Sequence, residues 1–600
     1  MINIGYQKRS NVDLFRNIEQ KKHLNLSETQ NYIPIYKRFF SLNPTNYNNI
    51  NLNNEWHILN ICVSKKTIER EEDENNHVYK CNIKNINTQN IITRNIFFKF
   101  APLLDPHKYL IGKYDINDKN LFKLPNLGNE NSSSQIFDIN NSAYVDGFFS
   151  YLSSSLINKY NFIHGVDFYG SFLALKNNFT VDVYDDLEYL NKSEFFNKNK
   201  NILFKVDNYD HLFVDNETKL PPIKIEHTSS VKSNMSIQSI GQIDGLFENI
   251  FSELPSEVLI SENNEANEEL VDMTNADIHD IKIHDIKGNN MSLRSNSSCS
   301  SRTSHTNSDE NDEFETDSID DYESGIESIN NDGIEDNEDE YEEDEYDSEE
   351  EEEVNVSIPQ FPIEIICMEN CENTLDSLII THELTHDEWY SALMQIIMIL
   401  ITYQKAFSFT HNDLHTNNVM YNSTNKKFIY YHYKKRYYRV PTFGRIFKII
   451  DFGRSIYKFN GKLFCSDSFK TGGDAATQYN TEPYLNEKKP RLDPNYSFDL
   501  CRLACSIFDY LISDMNEIKN CNQLQKLIVD WCLDDKGVNM LYKNNNVDRY
   551  PDFKLYKMIA RCVHNHTPQA QLERPQFKKY IYNKENIPND VIDIDKIPIF

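Results

Sequence analysis

The sequence predicts an α+β protein of two lobes, a small β-rich one and a larger helical one, parted by a long disordered acidic insert. Three observations carry this expectation. Apolar residues alternate or run in short blocks between Trp56 and Val206. After Thr385 they recur at helical spacing. Between these regions, residues 308–353 are dominated by Asp and Glu. Alternation marks half-buried strands, a 3.6-residue repeat marks helices, and dense like charge with few apolar residues cannot offset chain entropy.

Residues 1–55 are polar and Asn-rich and read as an extension, lying along the first lobe or mobile. The first lobe spans 56–226. Its strands are Trp56 to Val63, His77 to Ile83 and Asn95 to Phe100. The stretch Asn141 to Tyr160 places Phe148, Phe149, Leu152 and Leu156 on one helical face. Phe162 to Lys176 reads as a pair of strands, and Asn201 to Val206 as a further strand. The insert is assigned to 227–356, Ser/Asn-rich and then acidic. A recruited partner of that tract would be a basic protein.

Order returns in the second lobe, 357–600. Phe361 to Met368 reads as a strand, Glu369 to Asn373 as a polar link, and Thr374 to Leu378 as the start of a short helix. Thr385 and Glu388 form a capping box, in which each side chain satisfies a free backbone donor of the other. The helix that follows runs to about Ala406. Lys426 to Gly444, basic and rich in tyrosine, reads as an exposed hairpin that could hold an acidic partner such as the chain's own tract. Helices are expected from Phe498 through Leu511, at Leu524 to Leu533 and at Phe553 to Val563.

Composition excludes several classes. The chain has 600 residues, a formal net charge of -31 and 39% hydrophobic residues. An acidic balance argues against general nucleic-acid binding. The longest apolar run, Ala392 to Ile401, is too short to span a bilayer, and the N-terminus lacks a signal-peptide core. Eleven cysteines occur without a C-x-x-C pair, so the expected setting is reducing and cytosolic, with no structural zinc.

Two motifs carry chemistry. His411, Asp413, Leu414 and Asn418 have the spacing H-x-D-L-x-x-x-N, and Ile449-Ile450 runs into Asp451-Phe452-Gly453. Phosphoryl transfer needs such a set. One carboxylate takes a hydroxyl proton, while an amide and a second carboxylate hold the metal ions that neutralise triphosphate charge. Asp413 suits the first role; Asn418 and Asp451 suit the second.

With these motifs the sequence resembles the protein-kinase superfamily, and more narrowly the divergent serine/threonine kinases of large nucleocytoplasmic DNA viruses. The strings that carry the likeness are His411-Asn412-Asp413-Leu414-His415, Val440-Pro441-Thr442 with Gly444, and Ile449 to Arg454. The likeness is closest over 357–580 and loose over 56–225. It implies a bilobal kinase fold, ATP, Mg²⁺ and transfer of the γ-phosphoryl group to protein hydroxyls, in the host cytoplasm if the protein is viral. It implies Lys99 as the phosphate-gripping strand lysine and Asp146 as its acidic partner. The hinge would comprise Met368, Glu369 and Cys371, with Met368 near adenine and Asp376 near the ribose. It implies that Asp499 anchors the catalytic loop, and that Arg574-Pro575-Gln576-Phe577 closes the domain.

Three departures stand out. The usual Arg before the catalytic Asp is Asn412. The usual Lys two places after it is His415, which as a neutral imidazole would still donate to a phosphate. No Gly-rich loop precedes Lys99. Two other readings stay open: a kinase-like scaffold recruiting partners through the acidic insert, and a small-molecule kinase of the choline or aminoglycoside type. Gly453, Asp499 and Arg574-Pro575 argue against the latter.

Overall fold

The computed structural model describes residues 2–62, 77–128, 135–209, 353–583 and 587–600. The predicted disordered insert lies outside these residues except at 353–356, where a strand already begins at Asn355.

Helix α1, Val12–Glu19, precedes strand β1, Leu26–Gln30. Strands β2, Trp56–Ile61, β3, Val78–Asn85, and β4, Ile91–Pro102, form a meander. Helix α2, Ser142–Tyr160, leads to β5, Phe168–Asp182, and β6, Asn355–Glu369, follows. The sheet is antiparallel throughout, in the order β1-β5-β6-β4-β3-β2, and Lys205–Val206 adds a short seventh strand beside β6. It curls: Asn54, just before β2, donates a hydrogen bond to the Phe168 carbonyl at the start of β5. β6 sits between two neighbours and is almost wholly apolar from Phe361 to Met368, as a strand covered on both faces must be.

One expectation becomes specific here and another needs correction. The polar extension supplies an edge strand of the sheet, β1, because its backbone donors and acceptors are satisfied by β5. The supposed strand pair at 162–176 is a turn followed by one long strand. Its break is a register shift between Phe168 and Gly170, where Gly170 takes φ +133.

α2 is capped by the Asn141 side chain, which accepts from the Ala143 N–H, and ends at Asn161 in the left-handed conformation that Asn tolerates. It is buried on almost every side. Gly147 lets it approach β6, since a Cβ there would lie 2.5 Å from Glu364 Oε1.

The second region begins with α3, Leu375–Thr381, and α4, His386–Phe407. The capping box at Thr385 and Glu388 is present. Strands β7, Val419–Ser423, β8, Phe428–Tyr433, β9, Arg436–Pro441, and β10, Arg445–Ile449, follow. β7 pairs with β10 and β8 with β9, so the predicted hairpin extends from a second strand pair. A small hairpin, β11, Ile456–Phe459, and β12, Lys462–Cys465, precedes helices α5, Phe498–Leu511, α6, Gln523–Trp531, and α7, Lys554–Cys562. Among the described residues no helix is long and apolar enough to cross a membrane.

The basic hairpin's acidic partner is the C-terminal segment. β13, Ile592–Asp593, pairs with β8. Lys426 meets Asp590 at 2.7 Å and His432 meets Asp593 at 2.9 Å. At the hairpin tip Lys434 and Lys435 both have positive φ, which a tight two-residue turn demands and which usually selects Asn-Gly. Asp595 accepts both backbone N–H groups at 3.0 Å, which supports the strained turn.

Candidate active site

Lys99 lies on β4 opposite Ile366 of β6, and Phe97 lies opposite Met368. Residues at i and i+2 of a strand share a face, so Lys99, Ile366 and Met368 lie on one side of the sheet, with Glu364. The Glu364–Gly147 contact identifies this as the side covered by α2.

Lys99 Nζ donates to Asp146 Oδ2 at 2.6 Å and to Asp451 Oδ1 at 2.8 Å. Asp146 Oδ1 accepts the Phe452 backbone N–H at 3.1 Å. One buried carboxylate on α2 therefore ties the strand lysine to the D-F-G backbone. The two acids differ in setting: the Asp146 side chain is 2% exposed and that of Asp451 46%. Burial disfavours a charge on Lys99, but the two carboxylates outweigh it and keep the ammonium protonated. For Asp451 burial pushes upward, yet Lys99 and its hydrogen bond hold the carboxyl below the usual range. Burial raises Asp146 despite Lys99.

Asp451 has φ +62, a conformation uncommon outside glycine. The next residue, Phe452, is buried against Phe149 of α2 at 4.6 Å and Phe409 at 6.0 Å. Tyr457 of β11 donates to the Val145 carbonyl of α2 at 2.9 Å, a second tie to the same helix.

The loop carrying Asp413 is held from below. Asp499, fully buried at the start of α5, accepts the His411 and Asn412 backbone N–H groups, each at 2.9 Å. The imidazole of His411 bonds the Ile450 carbonyl at 2.9 Å, and the Ile450 N–H donates to the Asn418 carbonyl at 3.0 Å. These bonds set the two motifs side by side. Asn412, in the left-handed conformation, donates to the Arg454 carbonyl at 2.9 Å and accepts from the Tyr479 hydroxyl at 2.8 Å. Asn412 thus works as a clasp between the loop and the D-F-G segment.

Asn418 donates through Nδ2 to the Asp413 carbonyl at 2.9 Å, and the same nitrogen lies 3.0 Å from His415 Nε2. That arrangement leaves the side-chain oxygen Oδ1 of Asn418 as its atom for a cation. His415 is buried, and burial lowers its imidazole to about 4, so it is neutral. Its Nε2 serves as acceptor for Asn418. The expected donation from that nitrogen to a phosphate is replaced by a positioning role.

The hinge residues separate. Met368 is buried on the Lys99 face. The Glu369 carboxylate is taken by Lys448 at 3.0 Å, Asn422 at 2.7 Å and the Asp167 N–H at 3.1 Å, so it braces the strand end. Burial pushes the Cys371 thiol up to about 12, and it behaves as a small apolar side chain. Asp376 accepts from Thr416 at 2.5 Å and Tyr510 at 2.9 Å, which ties α3 to the loop that carries Asp413. The backbone at Asn370 and Cys371 lies between two ladders and belongs to neither.

Sequence reasoning missed Arg454, Asp474 and Tyr556 around Asp413. Arg454 lies 3.5 Å from Asp413 Oδ2 and 2.9 Å from Asp474, and Tyr556 donates to Asp413 Oδ1 at 2.8 Å. Tyr556 is distant in sequence and carries no local signal. Among the described residues no group of three His, Cys, Asp or Glu side chains could hold a metal ion by itself. No family model matches the chain, and no curated protein matches it.

Proposed function

We propose that the protein is an ATP-dependent protein kinase of bilobal fold, transferring the γ-phosphoryl group to protein hydroxyls, Ser/Thr by preference. The observation that carries this reading is the bond from Lys99 on the sheet to Asp451 of D-F-G, which joins groups 352 positions apart beside the Asp413–Asn418 loop. The Ser/Thr preference rests on the sequence resemblance alone.

The donor set fits its cofactors. Mg²⁺ takes few protein ligands and keeps water and phosphate oxygens, so one carboxylate and one amide suffice. Asp451, exposed and anionic with one oxygen on Lys99, and the side-chain Oδ1 of Asn418 would hold it. Bound Mg²⁺ supplies neutralisation of phosphate charge. Lys99 would grip the phosphates, and the unladdered backbone at Asn370 and Cys371 would meet adenine with Met368 on the same face. Asp413 would take the acceptor's proton, and Asp499 and His411 fix the loop that presents it.

A second reading, a nucleotide-binding scaffold without transfer, is favoured by one observation: both Asp413 oxygens face a partner, Tyr556 and Arg454. Labelled-ATP transfer separates the readings, with the chain itself, a basic protein, an acidic protein and choline as acceptors. Transfer to protein, lost in Asp413→Ala and Asp451→Ala, is the expected result. Transfer to choline alone, or none from a folded protein that binds ATP, overturns it.

A further inference from the structure

The surroundings of Asp413 hold a hydroxyl that the proposed reaction does not use. Tyr556 projects from α7 and donates its hydroxyl to Asp413 Oδ1 at 2.8 Å. Its ring is stacked on Phe553 at 5.4 Å, and the guanidinium groups of Arg502 and Arg454 lie 5.0 and 5.8 Å from its centroid. Two cations and a stacked ring hold the phenol in place, and only 8% of the residue is exposed. Burial pushes the phenol's pKa up, so the hydroxyl stays a donor.

A general base must lie about 2.6–3.2 Å from the hydroxyl whose proton it takes. The Tyr556 hydroxyl is within that range, and it is chemically what an acceptor presents: an O–H directed at the carboxylate. Arg454 covers the other Asp413 oxygen at 3.5 Å and is anchored to Asp474. An acceptor reaching Asp413 therefore displaces Tyr556 in preference to the ion-paired Arg454. α7 follows a mostly exposed, turn-rich stretch, 543–552, which leaves its start less braced than the buried α5 beneath it.

We infer that Tyr556 is the gating residue of the acceptor site: its hydroxyl fills the acceptor's place on Asp413, keeps water from it, and yields only to a docked protein hydroxyl. The inference rests on the kinase reading. In transfer, the acceptor oxygen bonds the γ-phosphorus, the bond from that phosphorus to the β,γ-bridging oxygen breaks, ADP departs, and the acceptor proton goes to Asp413. With water as acceptor the same steps yield inorganic phosphate, and that side reaction is what Tyr556 suppresses.

The test compares full-length wild type with Tyr556→Phe, which keeps the ring beside the guanidinium groups and removes the hydroxyl. Phosphate release from Mg-ATP without acceptor, labelled transfer to a basic and an acidic protein, and ATP affinity by calorimetry are read together. The expected result is acceptor-free hydrolysis raised about tenfold, the weight of one hydrogen bond to a charged group, with ATP affinity within about twofold. Wild-type transfer with unchanged hydrolysis in the variant overturns the gate and leaves the kinase reading standing. A fall in both hydrolysis and transfer makes Tyr556 a positioning residue and also overturns the gate. No turnover in either protein despite bound ATP overturns the kinase reading itself, and the gate with it.

Discussion

Asp146 binds Lys99 at 2.6 Å through Oδ2 while its other oxygen accepts the Phe452 N–H. Gly147 brings α2 onto β6, and Phe149 of the same helix packs on Phe452. Removing the Asp146 charge leaves Lys99 with Asp451 alone and leaves the Phe452 N–H without its carboxylate. Asp146→Asn is expected to lower kcat/KM for ATP about 10- to 100-fold, and Asp146→Ala to destabilise the fold by about 1–3 kcal/mol, the cost of buried groups losing a charged partner. Steady-state kinetics and urea unfolding check the pair.

Gly147→Ala gains about 1 kcal/mol in helix propensity yet is expected to destabilise. The new methyl meets Glu364 Oε1 at 2.5 Å, and that carboxyl is 1% exposed, with little room to retreat. Overpacking of this kind costs about 1–3 kcal/mol. Adding Glu364→Ala removes the obstacle, so the double variant should be more stable than the sum of the single effects. A double-mutant cycle by urea unfolding measures that coupling.

Glu364 also makes a pH prediction. Burial, then Asp146, push its carboxyl well above the usual range, with Ser171 and Lys99 opposing them. The folded state therefore holds a proton that the unfolded state releases above about pH 4.3. Its stabilising contribution is full below that pH and is lost as pH rises toward the folded value. Glu364→Gln carries no such proton. Its stability relative to wild type should rise by about 1.4 kcal/mol per pH unit within this window. Unfolding curves at pH 5.5 and 7.5 suffice; a constant difference between the proteins contradicts the assignment.

The N-terminal region braces the same helix. Phe39 stacks on Phe148 of α2 at 4.8 Å and on Phe464 of β12 at 5.8 Å, and the Arg38 guanidinium lies 4.6 Å from the centre of the Phe464 ring. Phe39→Ala is expected to cost about 2–3 kcal/mol, below the range for a fully buried Phe because the ring is half-buried. Hydrogen exchange should show the loss as faster exchange in α2 and in the 456–465 hairpin; a change confined to residues 2–55 would contradict the bracing role.

Local signals made much of this legible. The capping box at Thr385, the helical repeat of 142–160 and the two motifs each report structure within a few residues of themselves. β1 escaped notice because Leu26–Gln30 is polar and pairs through backbone groups with a strand far along the chain. The turn at 162–167 reads as a strand because its apolar residues are those of a strand, and only Gly170 marks the shift. His415 sits where a phosphate donor is expected, but its burial behind Asn418 is a tertiary fact. Tyr556, separated by 143 positions from Asp413, shows no pattern that any window of sequence contains.

Calorimetric titration with ATP, with Mg²⁺ and then with excess chelator, is the most direct test of the Lys99–Asp451–Asn418 site. The site predicts Mg²⁺-dependent binding, weakened at least about tenfold in Asp451→Asn by loss of a charged ligand, and unchanged in Asp413→Ala, whose side chain faces Tyr556 and Arg454 and not Lys99. Absence of ATP binding by the folded wild type, or equal binding by Asp451→Asn, would contradict it.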